Sequence, residues 1–300
     1  MRSCVAPSVL RNEGVPDSDA AYLQIVLTKI EVCRAYRPKF GQGENVSFEE
    51  FQALYGGDQF YSWFGLDHPL MYAAHKAAGG ITSLYRQIGL GCEQLFRRLL
   101  QDHLGLTEEQ SKWSYTIPVP GKKERKLSLD GRIELADLQP KARARVQAWL
   151  KRATKQTGMV PAVSSALLGA VFEVRQGYKS KDSKRQNADI GNAGTALTKG
   201  YLPVVAVLSS QIDGDVADRY RGAGWLLLTG STAKTDTHSI YAFCKDVVGY
   251  DLAAFFERNR ETLIATVDRV LRALLSPETP PESAADSGAD ELEEAEEIEE

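Results

Sequence analysis

Three acids and one base stand where their side chains could act together. Asp130 lies in Leu127-Ser128-Leu129-Asp130-Gly131-Arg132, toward the end of a predicted strand. Glu173 and Arg175 lie in Val171-Phe172-Glu173-Val174-Arg175, inside another. Strand alternation puts Glu173 and Arg175 on one face and Phe172 and Val174 on the other. Glu93 sits on a predicted helix, one position beyond its apolar stripe. Gly89 and Gly91 flank it and would let another backbone come close. The chemistry that uses such a set is metal-assisted hydrolysis of a phosphodiester. Two carboxylates, Asp130 and Glu173, would hold Mg2+ through hard oxygen ligands. The metal polarises the phosphate and lowers the pKa of a bound water. A cation beside the second carboxylate then neutralises charge in the transition state. Each residue also has a plainer reading. An Asp before a Gly shapes turns, and Glu173 with Arg175 would make a strand-surface ion pair of little energetic worth.

The elements that must position these groups follow from hydrophobic periodicity. Residues 21–36 read as a first ordered element, helix or strand, closed by Arg37-Pro38. Ser47, with Glu50 three places on, predicts a capped short helix over 47–55. Residues 57–70 form an aromatic loop whose rings are expected in a core or an interface. Apolar residues at Ile81, Leu84, Tyr85, Ile88, Cys92, Leu95, Phe96, Leu99 and Leu100 predict a helix over 81–103, capped by Thr82 or Ser83. Strands follow at 113–118 and 125–135, and a basic helix at 138–156 starts near Pro140. A strand within 167–177, a helix over 183–198 and strands at 201–209 and 224–228 come next. The run Val204-Val205-Ala206-Val207 suits a buried central strand. A mixed stretch over 236–249 leads to one last amphipathic helix over 250–275. This is an α/β pattern with one central mixed sheet flanked by helices. An N-terminal helical and loop extension, 1–80, packs on a core, 81–275, and a disordered acidic tail, 276–300, ends the chain.

Composition narrows the partner. The 300 residues hold 36 bases and 40 acids. Residues 278–300 contain 11 acids and no base, which leaves the body with 36 bases against 29 acids, a balance of +7. A basic body beside an acidic tail suits a polyanionic partner. Segment 176–189 adds Gln176, Tyr178, Lys179, Lys181, Ser183, Lys184, Arg185, Gln186 and Asn187, whose groups can donate to phosphates or base edges. The basic side chains of 138–156 read as a solvated face. There is no run of about 18 apolar residues, so no transmembrane helix is expected. The four cysteines are far apart and show no metal spacing, and the N-terminus lacks a signal-peptide run. A cytoplasmic location is expected. Phosphate-loop, dinucleotide and nucleophile-elbow patterns are all missing from the sequence, which disfavours a nucleotide-driven motor and a serine hydrolase.

The element order together with Asp130 and Glu173-Val174-Arg175 resembles the PD-(D/E)XK nuclease superfamily, over about residues 81–210. In that core a helix precedes three strands, then a helix and a further strand. The resemblance implies that Asp130 is the first acid, preceded here by Leu129 rather than proline, and that Glu173 is the second. Arg175 would fill the lysine position, and Glu93 would be the helix acid of some branches. Arginine clamps a phosphate but does not shuttle a proton. The run from Phe172 to Asp189 looks most like a type II restriction endonuclease. That implies a Mg2+-dependent enzyme cutting double-stranded DNA, a homodimer, and a cognate DNA methyltransferase in the host. A repair or structure-specific nuclease on the same core, and a DNA-binding protein with a decayed site, are the alternatives.

Overall fold

The computed structural model describes residues 18–40, 43–117, 125–177 and 183–277. The expected tail and residues 1–17 lie outside them. The first ordered element is a helix, α1 (Ser18–Glu31), continued by a 3-10 turn over Val32–Ala35. A two-residue hairpin, β1 (Lys39–Phe40) and β2 (Glu44–Asn45), leads into α2 (Phe48–Gly57). Ser47 caps α2 as its spacing predicts. Its side chain accepts from the Glu50 N–H at 3.2 Å, and Glu50 reaches back to the Ser47 N–H at 2.7 Å.

The 57–70 stretch is not a loop throughout, and Phe60, Trp63 and Phe64 are not part of the core. It carries a short helix, α3 (Gln59–Trp63), and leaves Phe60, Trp63 and Phe64 exposed. The next helix, α4 (Pro69–Leu104), starts twelve residues before the predicted Ile81. His68, not Thr82 or Ser83, is its N-cap, accepting from the Leu70 N–H at 3.1 Å, with Pro69 in the first turn. The paired glycines Gly79 and Gly80 argue against a helix by propensity. Close packing requires them. A Cβ on Gly79 would run into the Tyr36 ring, and one on Gly80 into Leu274. Helix α4 therefore runs unbroken through residue 80, where the sequence places the end of the N-terminal extension.

After α5 (Glu108–Ser111) come two antiparallel strands, β3 (Trp113–Ile117) and β4 (Arg125–Leu129). The predicted strand over 125–135 breaks at Asp130, and its second half is β5 (Gly131–Glu134). Helices α6 (Pro140–Gln156) and α7 (Pro161–Ala166) precede β6 (Gly169–Arg175). Then follow α8 (Ser183–Thr198), β7 (Tyr201–Val207), α9 (Gly214–Gly222) and β8 (Leu226–Leu228). The main sheet has the order β5-β6-β7-β8. The first pair is antiparallel and the other two are parallel, so the sheet is mixed. Next come α10 (Ile240–Phe243), a π turn over Cys244–Val248, α11 (Leu252–Arg258) and α12 (Arg260–Leu275). The predicted last helix is thus two helices, split at Asn259, whose side-chain amide donates to the Phe255 carbonyl at 2.9 Å.

Side chains alternate between two cores. Phe172, Val174, Val204, Ala206, Leu226 and Leu228 join α1, α4, α6 and α12 on one face. Val171, Val205, Val207 and Leu227 join Trp113, Tyr115, Leu129 and α8 on the other. The arginines of α6 are not all solvated. Arg145 donates to the carbonyls of Val247 and Val248 at the end of the π turn, at 2.5 and 2.8 Å. Arg143 takes the Leu135 and Ala136 carbonyls, and Arg152 pairs with Asp236. The Arg145 bonds reach carbonyls at the end of the π turn. Among the described residues no helix is long and apolar enough to cross a membrane.

Candidate active site

Strand β6 is buried along nearly its whole length, which is unusual company for a glutamate and an arginine. The alternation that sends Phe172 and Val174 into the α4 face puts Glu173 and Arg175 on the opposite face, at the strand's C-terminal end. There they pair with each other. Glu173 is buried and Arg175 largely so, which meets the requirement that a buried charge be paired.

Asp130 reaches this pair through the backbone. Pairing of β5 with β6 reaches Gly131, opposite Phe172. Just beyond it, the Asp130 carboxylate takes over as acceptor. Its Oδ2 accepts the N–H of Val174 at 2.6 Å, so the acid is fixed at the residue between Glu173 and Arg175. This explains the break in the strand: residue 130 contributes its side chain, not its backbone, to the ladder.

Helix α4 supplies the fourth member. Gly91 lets α4 lie against α1, since a Cβ there would stand 3.2 Å from the Val26 Cα. Two residues on, Glu93 accepts from Arg97 at 3.0 Å. The same Arg97 donates through Nε to the Asp130 backbone carbonyl at 2.9 Å. One guanidinium thereby ties the helix acid to the turn that carries the strand acid.

The charges are uneven. Burial, and then the nearby charge of Glu93, push the Asp130 carboxyl from 3.8 up to about 7. Arg175, the Val174 N–H and Arg97 pull the other way without cancelling this. A buried carboxylate crowded by a second one gains from any added cation.

The residues singled out in the sequence therefore stand as follows. Asp130, Glu173, Arg175 and Glu93 come to one end of the sheet. Gln176 is half-buried on the α4 side, where a Cβ on Gly89 would lie 3.8 Å from its own Cβ. Its carbonyl accepts from the Ser209 N–H at 3.0 Å. Tyr178, Lys179 and Lys181 lie outside the described residues. Ser183, Lys184, Arg185, Gln186 and Asn187 fall in the first turns of α8. Further along α8, the buried Asn192 accepts from the Tyr115 hydroxyl at 2.5 Å, which fixes the helix to β3. Arg97 escaped the sequence reading, although Glu93 and Arg97 have the i,i+4 spacing of a helical ion pair.

Among the described residues, no three His, Cys, Asp or Glu side chains converge as a group that could hold a metal ion. The Glu173 carboxylate is engaged by Arg175. The donor types still fit a hard cation: Asp130 and Glu173 offer carboxylate oxygens only. Against known proteins, no family model, no curated protein and no solved structure matches the chain.

Proposed function

We propose that the chain is a Mg2+-dependent endonuclease of double-stranded DNA, with its active site at the C-terminal end of β6. One observation carries the reading: Asp130 is bonded to the backbone of Val174, between Glu173 and Arg175. Three residues from two distant segments thus meet in the pattern acid, acid, cation. The order of helix α4, strands β3 to β6 with α6 and α7 inserted before β6, helix α8 and strand β7 supports the same reading, as does the +7 balance of the body.

In this reading the carboxylates of Asp130 and Glu173 would hold Mg2+, which would supply Lewis-acid polarisation of a phosphate and a water of lowered pKa. Arg175 stays charged at all working pH and clamps a phosphate oxygen as charge builds in the transition state. Glu93 adds negative charge beside Asp130 and so favours the cation. Arg97 fixes the turn that aims Asp130. The polar and basic residues from Gln176 to Asn187 follow β6 directly and would meet the DNA backbone and bases. Site-specific cutting of the type II restriction kind, by a homodimer beside a cognate methyltransferase, is the finer form of this proposal.

The test is digestion of mixed plasmid and phage DNA with Mg2+ and with EDTA. Discrete Mg2+-dependent fragments are expected. A Mg2+-dependent smear would remove the site specificity and leave a repair-type nuclease. A second reading, DNA binding without cleavage, is favoured by the Glu173–Arg175 contact, which occupies the second acid. DNA binding with no cutting under any divalent cation would establish that reading instead.

A further inference from the structure

The N-terminal helices leave a cluster of large apolar side chains in solvent. Leu54 on α2, Phe60 and Trp63 on α3, the following Phe64, and Leu70 in the first turn of α4 are 49%, 57%, 74%, 67% and 68% exposed. They stand on a packed floor. Phe51 and Tyr72 beneath them are fully buried, with ring centroids 5.5 Å apart. Tyr55 and Tyr61 stack at 4.7 Å, joining α2 to α3. The Asp58 side chain caps α3 by accepting from the Phe60 and Tyr61 N–H groups, which fixes the outward direction of the helix. Contiguous apolar patches on a soluble chain mark interaction surfaces, and aromatic rings are what such surfaces favour.

Charge selects the occupant. Glu49 and Glu50 lie in α2, Asp58 and Asp67 in the connections on either side of α3, and Glu44 in β2 before them; no lysine or arginine occurs between Lys39 and Lys76. The stretch from residue 40 to 75 therefore carries five acids and no lysine or arginine, on a body that is otherwise basic, with Arg37 acting on Glu50 from just outside it. DNA is repelled here, because aromatic platforms that bind nucleic acid need a basic track beside them. The chain's own acidic residues 278–300 are repelled for the same reason. Two copies set face to face would oppose like charges. A partner that covers the rings and answers the acids must carry apolar and basic side chains on one face, as an amphipathic basic helix does.

We propose that the face built by α2, α3 and the start of α4 docks a basic, amphipathic segment of a partner protein. The proposal is independent of the nuclease reading.

The face contains its own reporter. Of the four tryptophans, Trp113, Trp149 and Trp225 are buried and Trp63 is exposed. Acrylamide quenching of the full-length protein thus reads Trp63. The probes are a synthetic helical peptide with one leucine face and one lysine face, and its glutamate counterpart of equal length. The lysine peptide is expected to shield Trp63 and to do so less as salt rises; the glutamate peptide is expected to leave it open. Phe60→Ser combined with Phe64→Ser should unfold at the wild-type temperature, because both rings are exposed. It should bind the lysine peptide about tenfold or more weakly, the scale of losing buried aromatic anchors. Asp67→Lys should weaken binding as well. Shielding by neither peptide, or by both alike, overturns the proposal. So does shielding by double-stranded DNA, or by raising the protein concentration alone, which would assign the face to a second copy.

Discussion

Replacing Asp130 with asparagine should make the protein more stable than wild type, by an amount that appears above about pH 4, grows with pH and levels off above about 7. The carboxyl is pushed from 3.8 to about 7 by burial and by Glu93. A folded state with the higher pKa holds its proton more tightly than the unfolded chain does. The stability this group contributes is therefore fully present below pH 3.8 and is lost as pH rises through about 7. A difference of roughly 3 units corresponds to at most about 4 kcal/mol. Asp130 is only half-buried by its surface, so solvent screens part of this, and about 2 kcal/mol is the working figure. Asparagine removes the charge and keeps an oxygen for the Val174 N–H, so the ladder contact survives. Urea unfolding in EDTA at pH 5, 6, 7 and 8 reads the effect directly, with the variant's lead over wild type growing from pH 5 to pH 7 and changing little from pH 7 to pH 8. Mg2+ added at pH 8 should then stabilise wild type and not the variant. A pH-independent difference, or an Asp130→Asn protein less stable than wild type at pH 8, would refute the electrostatic reasoning.

Other expectations concern the scaffold and the site separately. Gly169→Val should disrupt the β5–β6 pairing, because a Cβ there overlaps the Ile133 carbonyl oxygen; a loss of about 3 kcal/mol or more by denaturant titration is expected. Ser47→Ala removes the capping box of α2 and should cost about 1 kcal/mol by the same assay. Arg97→Ala cuts the link from α4 to the Asp130 carbonyl. Because Arg97 is partly exposed, unfolding should shift little, while DNA cleavage should fall about 100-fold through misplacement of Asp130.

Much of the sheet and its flanking helices is legible in the sequence, for physical reasons. Val204 to Val207 read as a buried strand because both faces of β7 are covered, and α8 runs over the predicted 183–198. The capping pair Ser47 and Glu50 is a local signal and is met locally. The failures are non-local. Gly79 and Gly80 look like helix breakers until Tyr36 and Leu274 are seen packed against them. Phe60, Trp63 and Phe64 look like core by residue type, but a short capped helix turns them outward. Helix α9 was missed, and a strand over 125–135 hid the break that frees the Asp130 side chain. At the site, alternation alone placed Glu173 with Arg175. That Asp130 binds β6, and that Arg97 ties it to Glu93, depended on contacts between segments dozens of residues apart.

The most direct test of the proposed chemistry is plasmid cleavage by wild type and Glu173→Gln at matched concentrations, with Mg2+ and with EDTA. Glutamine keeps the size of Glu173 and an oxygen to accept from Arg175, while the second carboxylate is lost. Wild type should cut only with Mg2+, and Glu173→Gln should bind the DNA without cutting it. Equal cutting by both proteins, or cutting that persists in EDTA, would contradict a metal-dependent site built on Asp130 and Glu173.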